Sequence, residues 1–251
     1  MSAFADRIKI ARHAQGIQGP DVSLAIQYIL NCGNKVAGTC LGGSHTGTYQ
    51  FVADNGATGW PYETCLQYEA CSKDSEEGAC KLKSFACDAL NTCRTCSTFS
   101  IAGGHCTGIS SFPNATIAEY GVVKGEADMM AEIYARGPIA CDVDATPLHE
   151  YVGGVLSDTD PLHKITNHIV SVVGWGTDAT TGTKYWHARN SWGEYWGELG
   201  YFRLERGGNQ LGLEGNCGWA TPATWTERNF ACFEDGSNCL ANATYRDPSG
   251  V

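Results

Sequence analysis

Basic residues are in short supply. Lysine and arginine number 17 against 27 aspartates and glutamates, a formal charge of −10 at pH 7. A protein this acidic is not drawn to phosphate backbones or anionic bilayers, which argues against nucleic acid and membrane surfaces as partners. Long apolar runs are lacking too, and none approaches the roughly 20 residues that a membrane helix requires. The first residues are not expected to be a secretory leader: Met1 opens directly into Ser2, Ala3 and Phe4, and Phe4, Ile8 and Ala11 fall at helical spacing with no cap before them.

Cysteine, by contrast, is abundant. Thirteen of them, several in close pairs, read as the disulfide framework of a secretory-pathway protein. Asn-Ala-Thr sequons at Asn114 and Asn242 are candidate glycosylation sites in the same setting. A disulfide-rich protein without a leader is contradictory, so the sequence is expected to be a fragment. Cys93, Cys96, His105 and Cys106 could in principle supply four tetrahedral zinc ligands. His105 and Cys106 are adjacent, which makes simultaneous ligation awkward, and the local cysteine density favours disulfides, so neither metal nor cofactor is expected.

The 251 residues can bury the core of one large domain or two small ones, and the ordinary apolar fraction marks a globular chain. A helix is expected from Pro20 and Asp21 up to Gly33, and another over about residues 46–54, ending at Asn55-Gly56. Residues 66–107 are polar and cysteine-dense, a disulfide-held surface excursion. Beyond about Ser110 the pattern turns to short strands near residues 139–143, 169–173, 184–189 and 201–205, with one helix over residues 126–136 stopped by Gly137-Pro138.

Two of those strands form the centre of the chain. The β-branched run from Ile169 to Gly176 and the aromatic run from Tyr185 to Arg189 read as an antiparallel hairpin, which brings His168 and Asn190 together at one end. An imidazole beside a neutral amide suits a base or cation held in one tautomer. Trp192 and Trp196 follow, and indoles beside such a pair exclude water and strengthen its electrostatics. The structural alternative is a core histidine and a turn asparagine.

Asn167-His168, the block Arg189-Asn190-Ser191-Trp192-Gly193 and Trp196-Gly197 resemble the histidine and asparagine blocks of papain-like cysteine peptidases. Further matches are Cys40-Leu41-Gly42-Gly43, the block from Trp60 to Cys65, and the block from Met129 to Ile139. That last block, Ala5-Asp6-Arg7-Ile8 and the cysteine-rich run from Cys87 to Cys106 most resemble the cathepsin X branch, also called cathepsin Z, and the likeness covers about residues 1–220.

The resemblance implies an α+β, papain-like two-domain fold: a helical left domain over residues 1–109 with the excursion 66–107, and an antiparallel β right domain over 110–223, with the active-site cleft between them. A tail over 224–251 has no counterpart. It further implies that His168 forms the imidazolium of a thiolate pair, that Asn190 orients its ring and that Trp192 shields their hydrogen bond. Gly42 and Gly43 would pair with an extended substrate backbone, and Asp142, Ala145 and Ile169 would fall near the second specificity pocket. By the same likeness Cys32 pairs with Cys87, Cys65 with Cys93, Cys96 with Cys106 and Cys141 with Cys217. That leaves Cys71–Cys80 and Cys232–Cys239 as our own inferred local pairs, and Cys40 alone. His45, His105, His163 and His187 match no catalytic position.

The family's nucleophile belongs to a Cys-Gly-Ser-Cys-Trp motif, which counting back from Ala5 places about two helical turns before Met1. The chain as printed does not contain it, and an odd cysteine at Cys40 is what its loss would leave. The expectations that follow are a monomeric lysosomal or extracellular cysteine peptidase acting on peptides or proteins, in carboxypeptidase fashion. The alternatives are a non-catalytic papain-like homologue that binds peptides or proteins, and a disulfide-rich secreted interaction module.

Overall fold

The structure, a computed structural model, describes residues 1–97, 104–228 and 244–246. Among them are the helices α1 (Ser2–Ala14), α2 (Ile26–Cys32), α3 (His45–Asp54) and α4 (Glu126–Arg136). The first strands are β1 (Gly38–Thr39), β2 (Gly42–Gly43), β3 (Trp60–Pro61), β4 (Arg94–Ser97), β5 (His105–Gly108) and β6 (Asn114–Val123). β7 (Ile139–Val143), β8 (Val155–Leu156), β9 (His168–Thr177), β10 (Lys184–Arg189), β11 (Tyr201–Glu205), β12 (Cys217–Arg228) and β13 (Thr244–Arg246) follow. The mixture is α+β, and no helix among the described residues is long and apolar enough to cross a membrane.

The chain divides into two compact units. One contains Met1, Ile8–Glu119 and Ala220–Val251, and the other Ser2–Arg7 and Tyr120–Trp219. Residues 224–228, at the start of the segment set apart from the sequence, complete β12 and belong to the first unit.

In the first unit α2 starts later than Pro20 suggests. Leu24 bridges to Tyr62 in antiparallel fashion and the Ala25 amide donates to the Pro61 carbonyl at 2.8 Å, so residues 24–25 are committed to strand pairing before the helix can begin. α3 is capped by Ser44, whose hydroxyl accepts from the Gly47 amide at 3.1 Å and satisfies one of the orphan donors of the first turn. Gly47 itself cannot be replaced cheaply, since a β-carbon there would lie 1.9 Å from the Val36 carbonyl oxygen.

The cysteine-rich stretch is pinned to α2 by two buried amides. Gln27 and Asn31, 1% and 3% exposed and one helical turn apart, face inward. The Gln27 amide donates to the Cys71 carbonyl and accepts from the Glu69 amide, and Asn31 donates to the Asn91 carbonyl. Disulfides join Cys32 to Cys87, Cys65 to Cys93, Cys71 to Cys80 and Cys96 to Cys106. With Cys93, Cys96 and Cys106 consumed in these bonds, no thiolates remain for the zinc set weighed from the sequence. Cys232, Cys239 and Asn242 lie outside the described residues.

The second unit is built on antiparallel pairing. β7 pairs β9, β9 pairs β10 and β10 pairs β11, and β8 adds in parallel beside β11. The start of β12 lies against β7, with Cys217 opposite its disulfide partner Cys141. Alternate residues of these strands, among them Ile139, Val143, Val172, Trp186, Ala188, Phe202 and Leu204, are completely buried, as period-2 patterning requires. β9 extends past the β-branched run to Thr177, where it still pairs with Lys184 of β10, and at Gly176 the Tyr185 ring occupies the place where a side chain would stand. α4 keeps its expected bounds: Glu126 and Asp128 complement the dipole at its start, and Gly137 in a left-handed conformation ends it before Pro138.

Two buried ionic groups in this unit are fully engaged. Arg7, 2% exposed, donates to the Pro138 and Gly137 carbonyls and pairs with Glu132 at 2.8 Å. Glu214 accepts from the Trp186 indole at 2.9 Å and from the amides of Gly207 and Asn209. Burying such groups is offset only when their donors find acceptors and their acceptors find donors.

Candidate active site

His168 opens β9 and Asn190 follows the last residue of β10, so the hairpin delivers both side chains to one end of the same antiparallel pair. His168 Nε2 lies 2.8 Å from Asn190 Oδ1. The same oxygen accepts from the Ser191 amide at 2.7 Å, which identifies it as the oxygen of the carboxamide. A carbonyl oxygen only accepts, so Nε2 carries the proton and Nδ1 of the neutral ring presents a lone pair. The Asn190 backbone is itself tied down, its amide donating to the Gly200 carbonyl at 2.9 Å.

The residue before the histidine braces the neighbouring loop. Asn167 Oδ1 accepts from the Ala145 amide at 2.8 Å, and its Nδ2 donates to Asp144 Oδ1 at 3.0 Å. Burial alone would raise the Asp144 carboxyl, but hydrogen bonds from Thr146 and Asn167 and the charge of His163 outweigh it and hold the group below the ordinary aspartate value. The Asp144 carboxyl thus anchors the loop that carries Ala145.

An aromatic cluster stands over the pair. The Trp192 indole stacks on the His168 ring at 5.4 Å, and Trp196 meets Trp192 edge-on at 5.1 Å. Trp196 is fixed in turn by its indole N–H, which donates to the Leu148 carbonyl at 3.1 Å. His149, which no feature of the sequence singled out, also stacks on Trp192, at 4.8 Å. A histidine in a Pro-Leu-His-Glu turn carries no local signal, and only the packing shows what it touches.

The remaining candidates are placed as follows. Asp142 and Ile169 are cross-strand partners in β7 and β9, and Asp142 accepts from Asn216 Nδ2 at 2.7 Å. Ala145 is 6% exposed and offers a ligand little surface. Gly42 and Gly43 form β2 in the other compact unit, both exposed, and the space beside Gly42 is open. Cys40, in the turn between β1 and β2, is exposed and is the free cysteine among the described residues. Asn114 starts β6, and its side-chain amide donates to the Thr58 carbonyl at 3.1 Å. His45 is buried beside Thr46, His163 contacts Asp158 at 2.8 Å, and His187 packs against Tyr201.

The histidine, the asparagine carboxamide and the indole thus come together on one antiparallel sheet, in a chain that is similar along most of its length to known proteins. The papain family cysteine protease profile matches residues 1–226, and the chain belongs to that family. Among curated relatives, cathepsin Z of Onchocerca volvulus is 34% identical over 229 residues, covering 88% of this chain and 66% of the relative. Cathepsin B-like cysteine proteinase 4 of Caenorhabditis elegans is 29% identical over 84% of this chain and 62% of its own length. The chain thus spans somewhat under two thirds of the length of these relatives. Among solved structures, the bromelain protease of Ananas comosus in complex with the E64 inhibitor superposes with a TM-score of 0.60 at 27% identity, over 84% of this chain and 82% of that one.

Proposed function

We propose that this chain carries the proton-transfer half of a cysteine peptidase of the cathepsin Z kind, which hydrolyses peptide bonds through an acyl-enzyme and removes single residues from the C-terminus of its substrate. The observation that supports the reading best is the 2.8 Å contact between His168 Nε2 and Asn190 Oδ1. It leaves Nδ1 as the basic nitrogen. In the proposed cycle Nδ1 takes the proton of a cysteine thiol to give the thiolate–imidazolium pair, returns it to the departing amine, then takes one from the water that cleaves the acyl-enzyme. Asn190 keeps the ring in this tautomer throughout, and Trp192 keeps water from competing for the Nε2 proton.

The partner is a peptide or protein substrate, and the protein acts as a monomer in a lysosomal or extracellular setting, where its disulfides persist. A form extended upstream by a Cys-Gly-Ser-Cys-Trp segment tests the reading. It is expected to release C-terminal residues from peptides at acidic pH, to be inactivated by thiol alkylation, and to lose most of its kcat on Asn190→Ala. Activity that survives alkylation would sink the cysteine mechanism, and internal cleavage would replace the carboxypeptidase reading with an endopeptidase one. Peptide binding without hydrolysis would favour the non-catalytic homologue.

A further inference from the structure

Trp192 bears two imidazoles. His168 stacks on it at 5.4 Å with 28° between the ring planes, and His149 at 4.8 Å with 19°. The non-catalytic ring is thus the nearer and the more parallel of the two. His149 rides on the short 3₁₀ turn Pro147–Glu150, which is anchored rather than loose: Leu148 is fully buried, its amide donates to the Ala145 carbonyl, and its own carbonyl accepts the Trp196 indole. Trp192 sits differently. It follows the end of β10 in a stretch where Ser191, Gly193, Glu194 and Tyr195 are all exposed, and Gly193 takes a left-handed conformation.

The indole packs on one side against the apolar cluster of the sheet, and rings hold it from the others. Trp196 meets it at its edge, and His149 lies on it face to face. Each such aromatic contact is worth enough to change the population of a mobile side chain by about three- to tenfold. We propose that His149 is a positioning residue for the His168–Asn190 pair: it clamps the Trp192 indole over the pair, so that the Nε2–H···Oδ1 hydrogen bond stays out of water. The proposal rests on reading His168 and Asn190 as the proton-handling pair. It assigns His149 no contact with substrate and no proton transfer, and any flat aromatic ring at that position would serve.

The test uses the chain as it is, labelled with 15N at histidine, and reads the rate at which the His168 Nε2 proton exchanges with water. His149→Ala is expected to speed that exchange by about three- to tenfold, with the backbone amide spectrum unchanged. His149→Phe, which keeps the stack and removes the nitrogens, is expected to restore the slow rate. Exchange in His149→Ala as slow as in the parent chain would overturn the proposal, as would exchange in His149→Phe as fast as in His149→Ala. Neither result depends on hydrolysis, so failure of the clamp and the lack of peptidase activity in a nucleophile-bearing form are separate, distinguishable outcomes.

Discussion

The cysteine-rich stretch from Cys65 to Cys106 and the sheet that carries His168 keep their shapes by different means. In the former most side chains are exposed. Buried groups such as Cys65, Leu66, Cys71 and Cys93 are few, and disulfides together with the buried amides of Gln27, Asn31 and Asn91 supply the order. In the latter a continuous apolar cluster runs through Met129, Val172, Trp186, Phe202, Leu204 and Leu213. A polar segment cannot bury enough apolar surface to offset its conformational entropy, so covalent links must restrict the unfolded chain instead. The sheet also carries one disulfide, Cys141–Cys217, but its order rests chiefly on the packed apolar face, and it is the element able to hold an imidazole and a carboxamide 2.8 Å apart.

That contrast can be broken from either side. The largest effect is expected from Phe202→Ala. The ring is fully buried, and its loss should cost about 3–5 kcal/mol in denaturant unfolding followed by tryptophan fluorescence, with or without reductant. A cost below about 1 kcal/mol would mean that the apolar cluster is not what holds the sheet. Next comes the double replacement of Cys32 and Cys87 by alanine. It opens a link between residues 55 apart in sequence and should cost about 2–4 kcal/mol. Proteolysis should then appear within residues 66–97 while the tryptophan signal of the sheet persists. Cleavage within residues 168–205 instead would show that the two regions do not differ in the way described.

The smallest effect concerns acid. Burial depresses the basicity of His187; Glu198 opposes this and Arg203 adds to it, and the balance leaves the imidazole below its usual value. The folded state therefore binds this proton less readily than the unfolded state. The associated stability is fully present above the unfolded value of about 6.5 and is lost as pH falls through the lower folded value. His187→Phe should accordingly narrow the gap between thermal midpoints at neutral and acidic pH. An unchanged gap would remove His187 as a source of acid sensitivity in the sheet.

Much of the fold could be read in advance where it depends on neighbours in sequence. α4 ends at Arg136 because Gly137-Pro138 cannot continue a helix, and β7 and β10 fall where β-branched and aromatic residues cluster. α2 begins at Ile26 and not near Pro20 because residues 24–25 pair with residues 61–62, and that pairing is not written in local sequence. α3 falls where the sequence places it, with Ser44 as its cap.

Local sequence was enough to put His168 and Asn190 at one end of a hairpin, since two strand-forming runs on either side of a short turn bring those ends together. It also carried enough ordered blocks to mark the family. Only the tertiary structure decided which imidazole nitrogen faces the carboxamide, that Gln27 and Asn31 turn inward, and that His149 lies on Trp192. Those outcomes depend on hydrogen-bond satisfaction and ring packing between segments far apart in the chain, and such contacts leave no periodicity behind for a sequence to display.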